Sequence, residues 1–149
     1  MRPLATSVVV AALALASAAG AMATTASVGA ASSKVAAAHS AYGTVLRDGR
    51  GYVLYAFTKD TSGRSSCAGA CAKAWPPYIV TSSVVAGKGV DQRRLGTILR
   101  TGGSRQATYA GRPLYYYVGD RKPGQILCQN VSEFGGLWLV VHPNGTLVR

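Results

Sequence analysis

Acidic side chains are scarce in this chain. Five Asp and Glu face sixteen Lys and Arg across 149 residues, leaving a formal net charge of +11. Glu133 is the lone glutamate, and the only histidines are His39 and His142. Hydrolysis needs a nucleophile, a base and an orienting acid that converge, and so few candidates, with no nucleophile-elbow or zincin motif, predict a protein that is not an enzyme. Cysteine is also rare, with three residues and no Cys-x-x-Cys-His run for covalent haem. Neither a catalytic site nor a resident cofactor is expected. The Gly-rich pieces Gly102-Gly103 and Gly135-Gly136 read as turns, not phosphate loops.

A membrane-spanning run is missing too. The longest strongly apolar stretch, about Val8 to Ala19, is roughly a dozen residues, short of the ~20 that cross a bilayer. With Arg2 before it and Ala21-Met22-Ala23 after it, it predicts a signal peptide over residues 1–23, with the mature chain starting at Thr24. No Cys follows the apolar run, since the first is Cys67, so the expected product is secreted, extracellular and without an acyl anchor. The mature form should have no transmembrane segment, and association with the cell wall fits this placement.

Residues 24–40 are rich in Ala, Ser, Thr and Gly without apolar periodicity, and are expected to form a flexible linker. Residues 41–149 are enough for a single core. The basic residues are scattered along the chain. Scatter argues against a nucleic-acid groove, where clustering is expected, and leaves anionic envelope polymers or lipid head groups as partners for an exported cation.

Period-two alternation predicts strands at Thr44–Arg47, Tyr52–Thr58, Thr97–Arg100, Arg105–Tyr109, Pro113–Val118, Leu137–Val141 and Thr146–Val148. Asp48-Gly49, Gly102-Gly103, Ala110-Gly111 and Asn144-Gly145 supply turns for four hairpins. One short helix is expected from Cys67 to Ala74, with Ser66 as N-cap and Trp75-Pro76-Pro77 as its stop. The expected fold is therefore all-β: about seven short antiparallel strands in a compact sandwich or barrel-like meander, plus that helix.

Internal repetition is the strongest feature. Leu54-Tyr55-Ala56-Phe57-Thr58-Lys59-Asp60 returns as Leu114-Tyr115-Tyr116-Tyr117-Val118-Gly119-Asp120. Gly49-Arg50 returns as Gly111-Arg112, and each copy goes on to a Cys (Cys67, Cys128) and then a Trp (Trp75, Trp138). The copies span about 43–78 and 97–149. In each strand Tyr55 and Phe57, or Tyr115 and Tyr117, share a face and suit aromatic core packing. Asp60 and Asp120 close the strands, either accepting backbone N–H groups at the exit or pairing near a twofold axis as a cation or glycan site.

Cys67 and Cys71, four apart on the expected helix, are disulfide candidates in an oxidising compartment. Cys128 is the odd thiol, either free or paired with one of them. A sharper reading takes Cys67 and Cys71 as a copper-binding or thiol-redox site of an electron-transfer accessory protein.

The two motif stretches, with Ser66-Cys67-Ala68-Gly69-Ala70-Cys71, Trp75-Pro76-Pro77, Gly111-Arg112-Pro113 and Trp138 in this order, resemble a family of bacterial secreted repeat proteins and lipoproteins. That family is marked by a Tyr-x-(aromatic)-x-x-Asp motif in tandem copies, and its function is uncharacterised. Export, repetition, positive charge and the missing catalytic groups lead to the expectation of a non-enzymatic structural or interaction module of the envelope or extracellular space. The chain departs from the family's lipoprotein-like members in lacking an acylated Cys, and Cys128 is an addition to the pattern.

Overall fold

A computed structural model describes residues 33–149. The expected signal peptide and the first part of the expected linker lie outside the described residues. Among the described residues ten strands form three sheets, with one helix of five residues and a single 3-10 turn. The all-β expectation holds. The sheets pack on one another without closing into a barrel.

The first hairpin joins β1 (Lys34–Ser40) to β2 (Gly43–Asp48) over six residue pairs. The linker expectation thus fails for Lys34–Ser40. That stretch is Ala-rich, but Val35 is fully buried and β2 satisfies the backbone, so pairing overrides weak propensity. The motif strand β3 (Tyr55–Phe57) follows, and then helix α1 (Ala70–Ala74). The helix starts later than expected, at Ala70 with Gly69 in the cap position, and the Ser66 backbone N–H and Oγ both donate to Asp60 Oδ1 instead of capping it.

The stretch after Trp75 holds two short strands, β4 (Ile79–Val80) and β5 (Val85–Ala86). β5 lies parallel to β1, the one departure from antiparallel pairing. A second hairpin then repeats the first, with β6 (Leu95–Leu99) against β7 (Arg105–Tyr109) and β8 (Arg112–Pro113) extending it. Ala110 and Gly111 take φ of 49° and 77°, the paired positive angles of a tight hairpin turn. The chain ends with β9 (Val131–Glu133) and β10 (Gly136–Val140), joined through Phe134-Gly135. The strands expected at Pro113–Val118 and Thr146–Val148 shrink to β8 plus single bridges, at Tyr115 and between Val141 and Leu147.

The two copies superpose bond by bond. Leu54 N–H donates to Leu46 O and Leu114 N–H to Ala107 O, at 3.0 and 2.9 Å. Leu46 N–H reaches Val141 O, as Ala107 N–H reaches Tyr78 O, both at 2.9 Å. Tyr55 and Tyr115 exchange both backbone hydrogen bonds at 2.9 Å, so the pseudo-twofold axis passes between them. Each motif strand pairs with the Trp segment of the other copy: β3 with β10, and Tyr116 N–H with Pro76 O at 2.8 Å. Neither copy closes its own core.

Candidate functional site

The motif residues come together at the axis. Tyr55 Oη donates to Asp120 Oδ2 at 2.6 Å, and Tyr115 Oη donates to Asp60 Oδ2 at 2.6 Å. Each phenol therefore binds the carboxylate of the opposite copy. The second oxygen of each carboxylate holds its own loop: Asp60 Oδ1 through Ser66, and Asp120 Oδ1 through the Leu127 N–H at 3.0 Å. The strand-exit reading of the carboxylates is thus met by backbone donors, whereas the crossed phenol bonds could not be read from spacing. Burial pushes the Tyr55 and Tyr115 phenols well above the ordinary tyrosine value, and the carboxylate facing each adds to it. Burial also raises the Asp120 carboxyl, outweighing the Tyr55 and Leu127 donors that favour its charge.

Phe57 and Tyr117 end a run of four rings in which the copies alternate. Phe57 stacks on Trp138 at 4.2 Å, Trp138 on Trp75 at 4.1 Å with planes 4° apart, and Trp75 meets Tyr117 at 4.7 Å. Tyr55 and Tyr115 meet the two indoles edge-on, at 5.3 and 5.1 Å. Each such pair contributes about 0.5–1.5 kcal/mol beyond burial. Trp75 Nε1 donates to Glu133 Oε2 at 2.8 Å, whereas the buried Trp138 Nε1 has no partner.

Cys67 and Cys71 form the disulfide, with Cα atoms 5.3 Å apart, and Cys128 is free and half-buried. The pair does not share a helix as expected, since Cys67 precedes α1 and only Cys71 lies on it. Joined, the two sulfurs offer no thiolate to a metal. The Cys128 thiol lies beside Tyr117, and its hydrogen bond is the main cause of that phenol's raised pKa. No cluster of three or more His, Cys, Asp or Glu side chains suited to a metal ion occurs among the described residues.

Sequence reasoning missed a second polar centre at the surface. Asp48, taken only as a turn residue, is 4 % exposed. It accepts the Arg50 and Tyr52 backbone N–H groups at 2.9 Å, the Arg50 guanidinium at 2.9 Å and Tyr116 Oη at 3.0 Å. The signal was available: Asp48 is one of only five acids in a strongly basic chain. Burial, then the Asp48 charge, raises the Tyr116 phenol. Arg50 Cζ lies 5.1 Å from the Tyr52 ring centre and 5.7 Å from that of Tyr116. Beside this cluster opens a groove of about 660 Å³, walled by Pro76, Pro77, Tyr78 and Tyr116 with Lys34 and Arg50 at its rim.

Folding brings several of the scattered basic residues close together. Gly124 N–H bonds Gly51 O at 2.9 Å and Tyr52 Oη bonds Arg121 O at 3.3 Å. These contacts set Arg121 and Lys122 next to the Arg50 loop, and Arg47 also reaches Gly124. Among the described residues the only ion pairs join Asp48 to Arg50 and Asp91 to Arg93 and Arg94.

The fold and its centre define a class: an all-β protein of two interlocked repeats whose signature tyrosines, aromatics and aspartates build the core. The comparison with known families agrees with that division. The chain belongs to the family described as "Secreted repeat of unknown function", which matches residues 36–78 and 96–142, more than half of the sequence. Each match runs from a hairpin to just past a Trp. No curated protein and no solved structure shows a significant match.

Proposed function

We propose that this protein is a non-enzymatic extracellular module that attaches to anionic polymers of the bacterial envelope. The observation that carries the reading is the group of basic residues Lys34, Arg47, Arg50, Arg121 and Lys122, whose neighbouring carboxylates, Asp48 and Asp120, are buried. Such a surface concentrates polyanions by its field. The absence of enzymatic action is supported by the motif groups themselves, since Asp60, Asp120, Tyr55 and Tyr115 hold one another and their loops. The copper or thiol-redox alternative rests on Cys67 and Cys71, which must first be reduced to act, so the polymer reading is preferred.

The test is binding of the mature protein to a soluble polyanion, inorganic polyphosphate, at physiological ionic strength, where exposed charges beyond about 8 Å are screened. Saturable binding weakened several-fold by Arg121→Gln with Lys122→Gln is the expected result. No binding, or binding indifferent to those substitutions, overturns it. Turnover of an envelope polymer that disappears in Asp120→Ala would overturn the non-enzymatic part.

A further inference from the structure

Among the described residues the groove beside Asp48 belongs to one copy, although the fold is repeated. The hydrogen bonds that align Leu46 with Ala107 also align Asp48 with Tyr109, and the motif strands align Tyr116 with Ala56. In one copy, then, the large ring stands on the hairpin: Tyr109 is fully buried in the same core cluster as Ala56, and its Oη donates to Pro143 O at 2.6 Å. In the other copy the hairpin carries the small acid and the ring stands on the motif strand. The exchange moves the aromatic surface outward and leaves an open groove where its counterpart is filled.

The chemistry of that groove is specific. It is lined by Tyr116 and the flat rings of Pro76 and Pro77, with the buried Tyr78 packed against Tyr116 at 5.3 Å between ring centres and planes at 58°. Both phenol oxygens are turned to protein partners: Tyr78 Oη to Lys34 O at 3.1 Å and Tyr116 Oη to Asp48. What the walls present is therefore apolar ring surface. At the rim Arg50 engages Asp48 through Nε and Nη2 while its side chain stays largely exposed. Lys34 adds a second exposed cation. Concave sites of about 300–1,000 Å³ with apolar walls and a few placed polar groups are the usual form of a small-ligand site, and a held guanidinium favours a carboxylate.

We propose that this groove is a subsite for an acidic sugar unit, a uronic acid, of the anionic polymer named above. The proposal rests on that reading and adds its chemistry. The C–H face of a pyranose ring lies against Tyr116 and the prolines, and its carboxylate meets Arg50 and Lys34. The groove is open along its length and edged by charge, which suits a polymer unit passing through it better than an acyl chain, whose tail needs an enclosed apolar hole.

The experiment is titration of the mature protein with a short oligogalacturonate at physiological ionic strength, followed by methyl and aromatic NMR and by calorimetry. A neutral oligogalactoside, inorganic polyphosphate and a fatty acid are run in parallel. Oligogalacturonate should perturb the half-exposed Ile79 and the Tyr78 and Tyr116 rings. Loss of a charge-assisted bond, roughly 1.5–3 kcal/mol, corresponds to about tenfold or more weaker binding in Arg50→Gln. Tyr116→Ala, which writes the residue of the other copy into this position, should also weaken binding, with near-UV dichroism reporting that both variants remain folded. Equal binding of the neutral sugar, or binding unaffected by Arg50→Gln, overturns the proposal, as does a fatty acid that perturbs the same residues. If polyphosphate binds through Arg121 and Lys122 while oligogalacturonate leaves the groove untouched, the subsite fails and the polymer-binding reading stands. If neither anion binds, both fail.

Discussion

The two copies share a backbone scheme and differ in how each is fastened. After its motif strand the first copy makes a loop clamped by the Cys67–Cys71 disulfide and the short helix α1. Arg100 adds to that clamp, donating to Cys67 O and Gln106 Oε1 at 2.6 Å and to Ser65 Oγ at 2.8 Å. The second copy has instead the β9–β10 hairpin, a free Cys128 and Glu133, which reaches across to Trp75. The loops differ in build, yet each supplies a donor to its own axis carboxylate, Ser66 to Asp60 and the Leu127 N–H to Asp120. What both copies keep is the set of groups that meet the other copy: a phenol, a carboxylate, an indole and a second aromatic. The crossed phenol–carboxylate bonds and the stacked indoles repeat between the copies, whereas their outer partners, Glu133 on Trp75 and Ser65 on Tyr115, do not.

The largest effects should come from breaking the ring column. Trp75→Ala and Trp138→Ala should each cost about 3–5 kcal/mol, read as the drop in denaturant midpoint. The milder Trp→Phe pair separates the copies. Trp75→Phe loses the Glu133 bond, whereas Trp138→Phe removes a buried N–H that has no partner. A group left unsatisfied costs about 1–3 kcal/mol, so Trp138→Phe should be the better tolerated. Equal losses would mean that Trp138 Nε1 finds a partner in solution.

Alkali tests the crossed phenols. An ordinary tyrosine ionises near pH 10, and Tyr55 and Tyr115 are held above that when folded. Their contribution is intact below about pH 10 and falls as pH rises toward the folded values, by up to about 1.4 kcal/mol per pH unit for each tyrosine. Alkaline unfolding followed by phenolate absorbance should therefore be steep. Tyr55→Phe should flatten it more than Tyr115→Phe, because Ser65 pulls the Tyr115 value partly back.

Removing the carboxylates is expected to cost less and unequally. Asp120→Ala leaves the buried Tyr55 phenol without its acceptor, a loss of about 1–3 kcal/mol. Asp60→Ala should cost less, since Tyr115 Oη keeps Ser65 Oγ at 2.7 Å. Thermal melts of the two variants decide it. The smallest difference concerns sulfur. The Cys67–Cys71 loop is so short that its reduction should cost no more than about 2 kcal/mol by the loop-entropy argument. Cys128→Ser should shift the midpoint by less than about 0.5 kcal/mol.

Much of this architecture was legible in the sequence. The heptapeptide repeat located the axis residues, the Gly turns located the β6–β7 and β7–β8 hairpins, and Arg105–Tyr109 is a strand over the residues its alternation indicated. Strand β1 was not legible, because Lys34–Ser40 carries little apolar pattern and becomes a strand through its neighbour. Nor was the late start of α1, where Asp60 competes for the capping serine. Repetition showed two copies without showing that each pairs with the other. Short loops favour pairing between neighbours along the chain, and the crossed arrangement depends on long-range bonds that no window contains. At the surface, Asp48 looked like a turn residue because its partners, Arg50 and Tyr116, include one 68 positions away.

The crossed pairing makes parity a property of this architecture. A copy whose motif strand is satisfied only by another copy's Trp segment is half of a folding unit, so copies are complete in pairs. In this chain the pair is covalent, and the stretch between the hairpins serves as a tether. A chain with an odd number of such copies would carry one unmatched half, with an open strand edge and an uncovered indole, and would find its complement in a second molecule related by a true twofold axis.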